Sequence, residues 1–371
     1  MPQRFQFLAP VLQSVVGGKS AIDLPRLNIK SEEEAEAFLN GYGFNLKDEI
    51  QVKKIWYYHR RALVLMEEKL GIRLSEIPEE VRDPKSLVDI RKLLLWASSD
   101  HPGEKHLQRW SCTLLRVMHV FMHAESDLFA SFSEEIQKQI LTPIQDCVYH
   151  DGSTGLTFLK RPEKVGQNGG EQIGLQGFEV KPFKTSSSTV IKLLAKPDAL
   201  AMSVYDKLGV RFVTKTMFDV FCVIRFLVSE NLISFPHIMP DQSSNNLYPA
   251  DLFIEVANEL AGRATGLSED QIDKYFLKRL EERKDEFGIL RKQNAFSGHD
   301  YRFIKFICRK LIRIHPIGQK ESFGFFFPFE VQIMDEKSHR SILSGPSEHE
   351  AYKERQKMAA RKRIMPDLES Q

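Results

Sequence analysis

Two acids stand where strand-borne chemistry would put them. Asp206 opens the stretch YDKLGVRFVTKTMFDVFCVIRFLVSENLI, residues 205–233, and Glu330 sits in FEVQI, residues 329–333. In the first stretch Leu208, Val210 and Phe212 alternate with Gly209, Arg211 and Val213, the period of a strand. Residues 214–216 turn the chain, and Phe218, Phe221, Ile224, Leu227 and Val228 then share one stripe of a helix. In the second, Phe329, Val331 and Ile333 are expected to face a core while Glu330 and Gln332 share the opposite face. Two carboxylates on neighbouring strands suit Mg²⁺, a hard cation that takes oxygen ligands and keeps waters and substrate phosphates. An acid at a strand edge is also commonly just solvated, and that alternative stands beside the metal reading.

A second constellation lies on the apolar stretch VMHVFMHAESD. His119 and His123 are four apart and Asp127 four further, which would put three potential ligands on one helix face. The stretch lacks the glutamate of HExxH, and the reading preferred here is two interior histidines bonded to neighbours.

The elements that must position these residues follow from composition and punctuation. At 371 residues the chain exceeds the usual single domain, so two domains are expected. A net charge of +2 excludes attraction of nucleic acid by bulk charge, so any basic patch must be local. Cys112, Cys147, Cys222 and Cys308 are scattered without a CxxC pair, as expected of reduced, buried thiols in a cytoplasmic protein. No run approaches the roughly twenty apolar residues of a membrane helix, so no membrane partner is expected. The apolar N-terminus is broken by Pro10, lacks a clear cleavage site and reads as ordinary folded chain.

Residues 1–150 read as an all-helical domain, with a capping box at Ser31 and Glu34 and helices over 52–70, 85–97, 105–129 and 134–140. Residues 151–177 are a Gly-rich linker or hairpin without a phosphate-binding glycine motif. Within 178–345 the segment 240–297 reads as an insert with helices over 250–260 and 271–287, the second capped by Ser268 and Gln271. Its charge-dense KRLEERKDEF face is expected to be solvated. Residues 346–371 form a basic helix and tail, read as a solvated face with RNA contact as the alternative.

Four blocks, in order, resemble the synthetase domain of the RelA/SpoT family, which makes guanosine tetra- and pentaphosphate. Lys184, Ser188 and Lys192 are similar to its lysine-serine-lysine helix, and Asp206, Gly209 and Arg211 to its D-x-x-G-x-R strand. Residues 300–305, DYRFIK, resemble its G-Y-R-S-L-H strand. Glu330-Val331-Gln332-Ile333 resembles its E-V-Q-I strand, Ser338-His339 its M-H helix, and residues 348–353, EHEAYK, its E-H-x-x-Y-K segment. The resemblance spans roughly 178–357 and implies an α+β fold, a mixed sheet of nucleotidyltransferase type flanked by helices. It implies Mg²⁺-dependent transfer of pyrophosphate from ATP to the 3′-hydroxyl of a guanosine nucleotide. Asp206 and Glu330 would hold Mg²⁺ between the β- and γ-phosphates, and Glu330 would also receive the hydroxyl proton. Lys184, Ser188, Lys192 and Arg211 would bind the nucleotides, with Tyr301 stacking on a purine, Lys305 meeting a phosphate and Gln332 reading a base or ribose edge.

The sequence departs from the family's pattern at three places. Pro182 replaces an arginine, leaving Lys181 as a nearby cation. Phe303 and Lys305 replace a serine and a histidine, and Met334-Asp335 replaces Arg-Thr. Two alternatives follow: a pyrophosphate transfer to an RNA acceptor, or a non-catalytic nucleotide-binding or regulatory protein. A hydrolase domain, which bifunctional members carry, is not expected, because the HD pair of this region, His150-Asp151, runs straight into Gly152-Ser153 instead of a helix.

Overall fold

The computed structural model describes residues 20–125, 127–162, 171–181, 186–196, 204–261, 266–283, 286–287, 302–315, 322–344 and 349–366. Among them the helices of eight or more residues are α1 (Glu32–Tyr42), α2 (Glu49–Glu68), α3 (Arg91–Ser98), α4 (Lys105–Ala124), α5 (Asp127–Gln145), α6 (Ser186–Ala195), α7 (Met217–Ser229), α8 (Ala250–Ala261), α9 (Glu269–Arg283), α10 (Glu336–Ser344) and α11 (His349–Ile364). The strands are β1 (Val148–His150), β2 (Thr157–Lys160), β3 (Gln172–Lys181), β4 (Gly209–Thr214), β5 (Ser244–Asn245), β6 (Ile304–Ile314) and β7 (Phe323–Asp335). They make one seven-stranded mixed sheet in the order β1-β2-β3-β4-β7-β6-β5. The protein is α+β. No described helix is long and apolar enough to cross a membrane.

The chain divides into two compact units. One comprises Met1–Asp127, Thr185–Val204 and Lys353–Gln371; the other comprises Leu128–Lys184 and Tyr205–Tyr352. This division differs from the expected linear one. Ile136, Ile140 and Ile144 of α5 belong to the core under the sheet, together with Leu159, Ile173 and Leu175 from the Gly-rich segment. Segment 151–177 thus supplies β2 and most of β3, paired antiparallel.

In the helical unit, local signals set the boundaries. Ser31 accepts the Glu34 N–H at 3.2 Å, while the Glu34 carboxylate takes the N–H of Lys30 at 2.8 Å. The helix ends at Gly43, whose φ of 104° lies in the left-handed region. On α4, Trp110, Leu114, Val117 and Phe121 bury one stripe. The expected single ligand face is overturned: α4 ends at Ala124, and Asp127 starts the next helix. His119 Nδ1 and His123 Nε2 both bond the hydroxyl of Tyr42, the latter at 3.3 Å. No group of three or more metal-ligating side chains occurs among the described residues.

The basic C-terminal helix is likewise partly structural. Arg363 pairs with Asp23 at 2.6 Å and donates to the carbonyls of Leu193 and Leu194 at 3.0 and 3.2 Å, which are end-of-helix acceptors of α6. Arg116 of α4 donates to the carbonyl of Ile364 at 2.7 Å. Arg363 is thus engaged by protein groups, while Arg361 and Lys362 beside it are exposed.

In the sheet unit all described pairings are antiparallel except β4 with β7, which is parallel. β4 is buried on both faces, as a central strand should be, with Val210 and Phe212 inaccessible. The helix stripe expected for α7 is only half the story. Val220, Val223 and Leu227 are the fully buried residues, while Phe218, Phe221, Ile224 and Val228 pack at the margin of the core. Phe221 stacks on Phe253 of α8 at 3.7 Å and Phe218 meets Phe276 of α9 at 5.1 Å, so α7 is apolar on both sides. The KRLEERKDEF charges are not simply solvated either. Arg279 pairs with Glu259 at 2.8 Å and Arg283 with Glu255, tying α9 to α8. Ser268 and Gln271 form the expected reciprocal cap, at 3.3 and 2.9 Å.

Burial, with the neighbouring His123 charge, pushes the His119 imidazole down to about 4. The unfolded chain binds that proton near pH 6.5 and the folded chain only near pH 4. The stability contributed by neutral His119 is therefore complete above pH 6.5 and lost as pH falls between the two. Chemical denaturation across pH 7 to 4 should show this loss, and His119→Gln should remove up to one proton from the slope.

Candidate functional site

The polar face of the sheet is organised in rows that cross the strands. Lys181 of β3 pairs with Gly209 of β4, and Gly209 pairs with Glu330 of β7. One pleat along, Glu179, Arg211, Gln332 and Lys305 stand in register on β3, β4, β7 and β6. Period-two alternation puts both rows on the same face. The next row turns apolar, with Val213 and Met334 buried against Phe303.

Gly209 makes the first row possible. A Cβ there would stand 2.9 Å from the Glu330 carbonyl oxygen and 3.1 Å from the Glu330 Cβ. With no side chain on the intervening strand, the ammonium of Lys181 reaches across β4. It donates to Glu330 Oε1 at 2.5 Å and to Gln332 Oε1 at 2.8 Å. From the other flank, Lys305 Nζ lies 3.6 Å from Glu330 Oε2. In the second row Arg211 donates through Nε to Gln332 Oε1 at 3.1 Å and through a terminal nitrogen to Glu179 at 2.9 Å. His339, on α10 just beyond β7, stands 3.5 Å from the other Glu179 oxygen.

Glu330 is 6% exposed. Burial alone would push its carboxyl up, but Lys181 and Lys305 outweigh that and hold it below the usual carboxylate range, against an opposing push from Asp206. The result is an ionised carboxylate in a cationic cradle. Asp206, half-buried just before β4, is close enough for its charge to act on Glu330. Asp206 and Glu330 are the carboxylates here that could serve a hard cation such as Mg²⁺, which takes oxygen ligands.

The structure therefore brings together Asp206, Arg211, Lys305, Glu330 and Gln332 within the sheet unit. Ser188 and Lys192 lie on α6, which belongs to the helical unit; Ser188 is exposed and Lys192 half-buried. Lys184 and Tyr301 lie outside the described residues. Arg211 shares a face with Gly209, and that is the face of Glu330. Arg302 instead donates to the carbonyl of Leu247 at 2.6 Å. Lys181 is the central residue that sequence reasoning treats only as a stand-in charge. The available signal was alternation on its own strand, where Glu179 and Lys181 flank Val180.

No protein-family model matches the chain, and no curated protein matches it. Among solved structures the chain is similar to the small alarmone synthetase 1 from Bacillus subtilis bound to its product pppGpp. The sequence identity is 12% and the TM-score 0.25, over 53% of this chain and 77% of that one.

Two variants test the geometry. Lys181→Met removes the nearer cation, so the Glu330 carboxyl should rise, as read by carboxyl carbon NMR titration. Gly209→Ala should cost about 1–3 kcal/mol in denaturant unfolding, because backbone of β7 must move to admit the methyl.

Proposed function

We propose that the sheet face is a nucleotide site that transfers pyrophosphate from ATP to the 3′-hydroxyl of a guanosine nucleotide. The observation that carries this reading is the buried, ionised Glu330 flanked by Lys181 and Lys305, with Asp206 beside it and Arg211 one row away. Two lysines at the carboxylate and an arginine one row away suit a polyphosphate that must be neutralised and a hydroxyl that must lose a proton.

In the proposed reaction the acceptor's 3′-oxygen attacks the β-phosphorus of ATP. An oxygen–phosphorus bond forms, the bond from the β-phosphorus to the α–β bridging oxygen breaks, and AMP leaves. The hydroxyl proton passes to Glu330. Lys181 and Lys305 have two roles in this scheme. They neutralise phosphate oxygens, and by turning toward the phosphates they release Glu330, whose burial then makes it a stronger base. Gln332, held by Lys181 and Arg211, offers its amide to the base or ribose. Asp206 and Glu330 would hold Mg²⁺, which when bound adds charge neutralisation at the transferring group.

A second reading has its own observation. Lys181 already bonds the Glu330 oxygen that a metal or proton would use, which is the arrangement of a site that binds nucleotide without turnover. Purified protein with γ-labelled ATP, Mg²⁺ and GDP, GTP or RNA separates these readings by chromatography. Wild type should yield a labelled guanosine product. Glu330→Gln should lower turnover by about 10²-fold or more, the usual worth of a general base, while leaving ATP affinity within a few-fold. Guanosine nucleotide binding without Mg²⁺-dependent transfer would establish the second reading, and a labelled RNA product would move the acceptor from nucleotide to RNA.

A further inference from the structure

The helical unit contains a cavity of about 160 Å³ that the reading of the sheet face does not use. Its walls are apolar, with Phe38, Phe44, Leu94, Met118 and Met122 among them, and His119 and Tyr42 supply a polar point. The pocket is half-open, and its volume is enough for one six-membered ring; an enclosed apolar cavity of about 150 Å³ takes up benzene. Aromatic edges and methionine sulfurs are favourable neighbours for such a ring.

The polar point has a definite chemistry. The Tyr42 hydroxyl lies between His119 Nδ1 and His123 Nε2, and its single proton goes to one of them. If Tyr42 donates to His119, the other ring nitrogen of His119 carries a proton and is a donor. If Tyr42 donates to His123, His119 gives its Nδ1 proton to Tyr42 and its Nε2 is an acceptor. In either case His119 Nε2 makes no hydrogen bond to a described residue. A hydroxyl group answers both cases, since it donates and accepts. The two arginines of the lining are already engaged. Arg116 donates to the carbonyls of Ile364 and Leu24, both at 2.7 Å, and Arg26 lies 3.4 Å from Asp100.

We propose that this cavity binds a small uncharged aromatic alcohol, its ring among Phe38, Phe44 and the methionines and its hydroxyl on His119 Nε2. Burial, the largest influence on the His119 imidazole, keeps it neutral at physiological pH, which matches an uncharged partner.

Phenol, benzene and benzoate are suitable probes on the full chain, titrated calorimetrically while the methionine methyl and histidine ring resonances are followed by NMR. Phenol should bind with shifts at Met118, Met122 and His119, about tenfold tighter than benzene, the worth of one hydrogen bond. In His119→Leu, checked for native circular dichroism, phenol and benzene should become equal. Should that variant fail to fold, the wild-type order and the site of the shifts carry the test. Benzene binding as tightly as phenol would remove the role of His119. Benzoate binding tightest would assign the site to the arginines. No binding of any probe, or binding with shifts elsewhere, would overturn the proposal.

Discussion

An ionised carboxylate that is almost wholly removed from water is the constraint on which the sheet unit depends. Desolvation of Glu330 opposes its charge, and a buried charge survives only beside partners that return what water supplied. Those partners come from both sides of β7. Lys305 arrives on the adjacent strand, whereas Lys181 must cross β4, a span of about two strand spacings. The bare backbone of Gly209 opens that path. Strand order, the parallel pairing of β4 with β7, and a glycine at one position are thus all tied to a single charge.

The same arrangement gives the site its capacity to respond. A buried ion pair contributes little net stability, because desolvation offsets attraction, but removing one member leaves the other exposed to the full penalty. In the proposed reaction, a polyphosphate that competes for Lys181 and Lys305 would therefore change the basicity of Glu330. In the second row Arg211 is shared between Gln332 and Glu179, so Gln332 retains a partner if Lys181 turns away. Basicity in this site is set by what the lysines touch.

Beneath that face the core is aromatic. α7 is packed between the sheet and α8 and α9, its Phe218 and Phe221 meeting Phe276 and Phe253, with Tyr248 donating from its hydroxyl to the carbonyl of Phe276 at 3.1 Å. The paired arginines and glutamates of α8 and α9 close the outer side. The segment that reads as an insert in the sequence becomes the second wall around a core helix.

Much of this is legible in the order of residues alone. Alternation at residues 208–213 and 329–333 is imposed by the pleat, and caps such as Ser31 and Ser268 are imposed by orphan backbone groups at helix ends. Such signals are local, and a chain displays them directly. Glu330 is visible because an acid interrupting an apolar strand is itself a local anomaly, and Asp206 because it stands just ahead of one. What only tertiary structure decided is who stands beside whom. Periodicity states which face a residue takes on its own strand and carries no information about the neighbouring strand. Hence Lys181 became the principal partner of Glu330, and Arg211 joined the site, only when β3, β4 and β7 were in register. The unit boundaries were hidden for the same reason. Residues 128–150 share a helical pattern with the segment before them, yet their isoleucines complete the core under the sheet. α6 and most of α11 join the helical unit through contacts such as Arg363 with Asp23 and Leu193, between residues far apart in the chain.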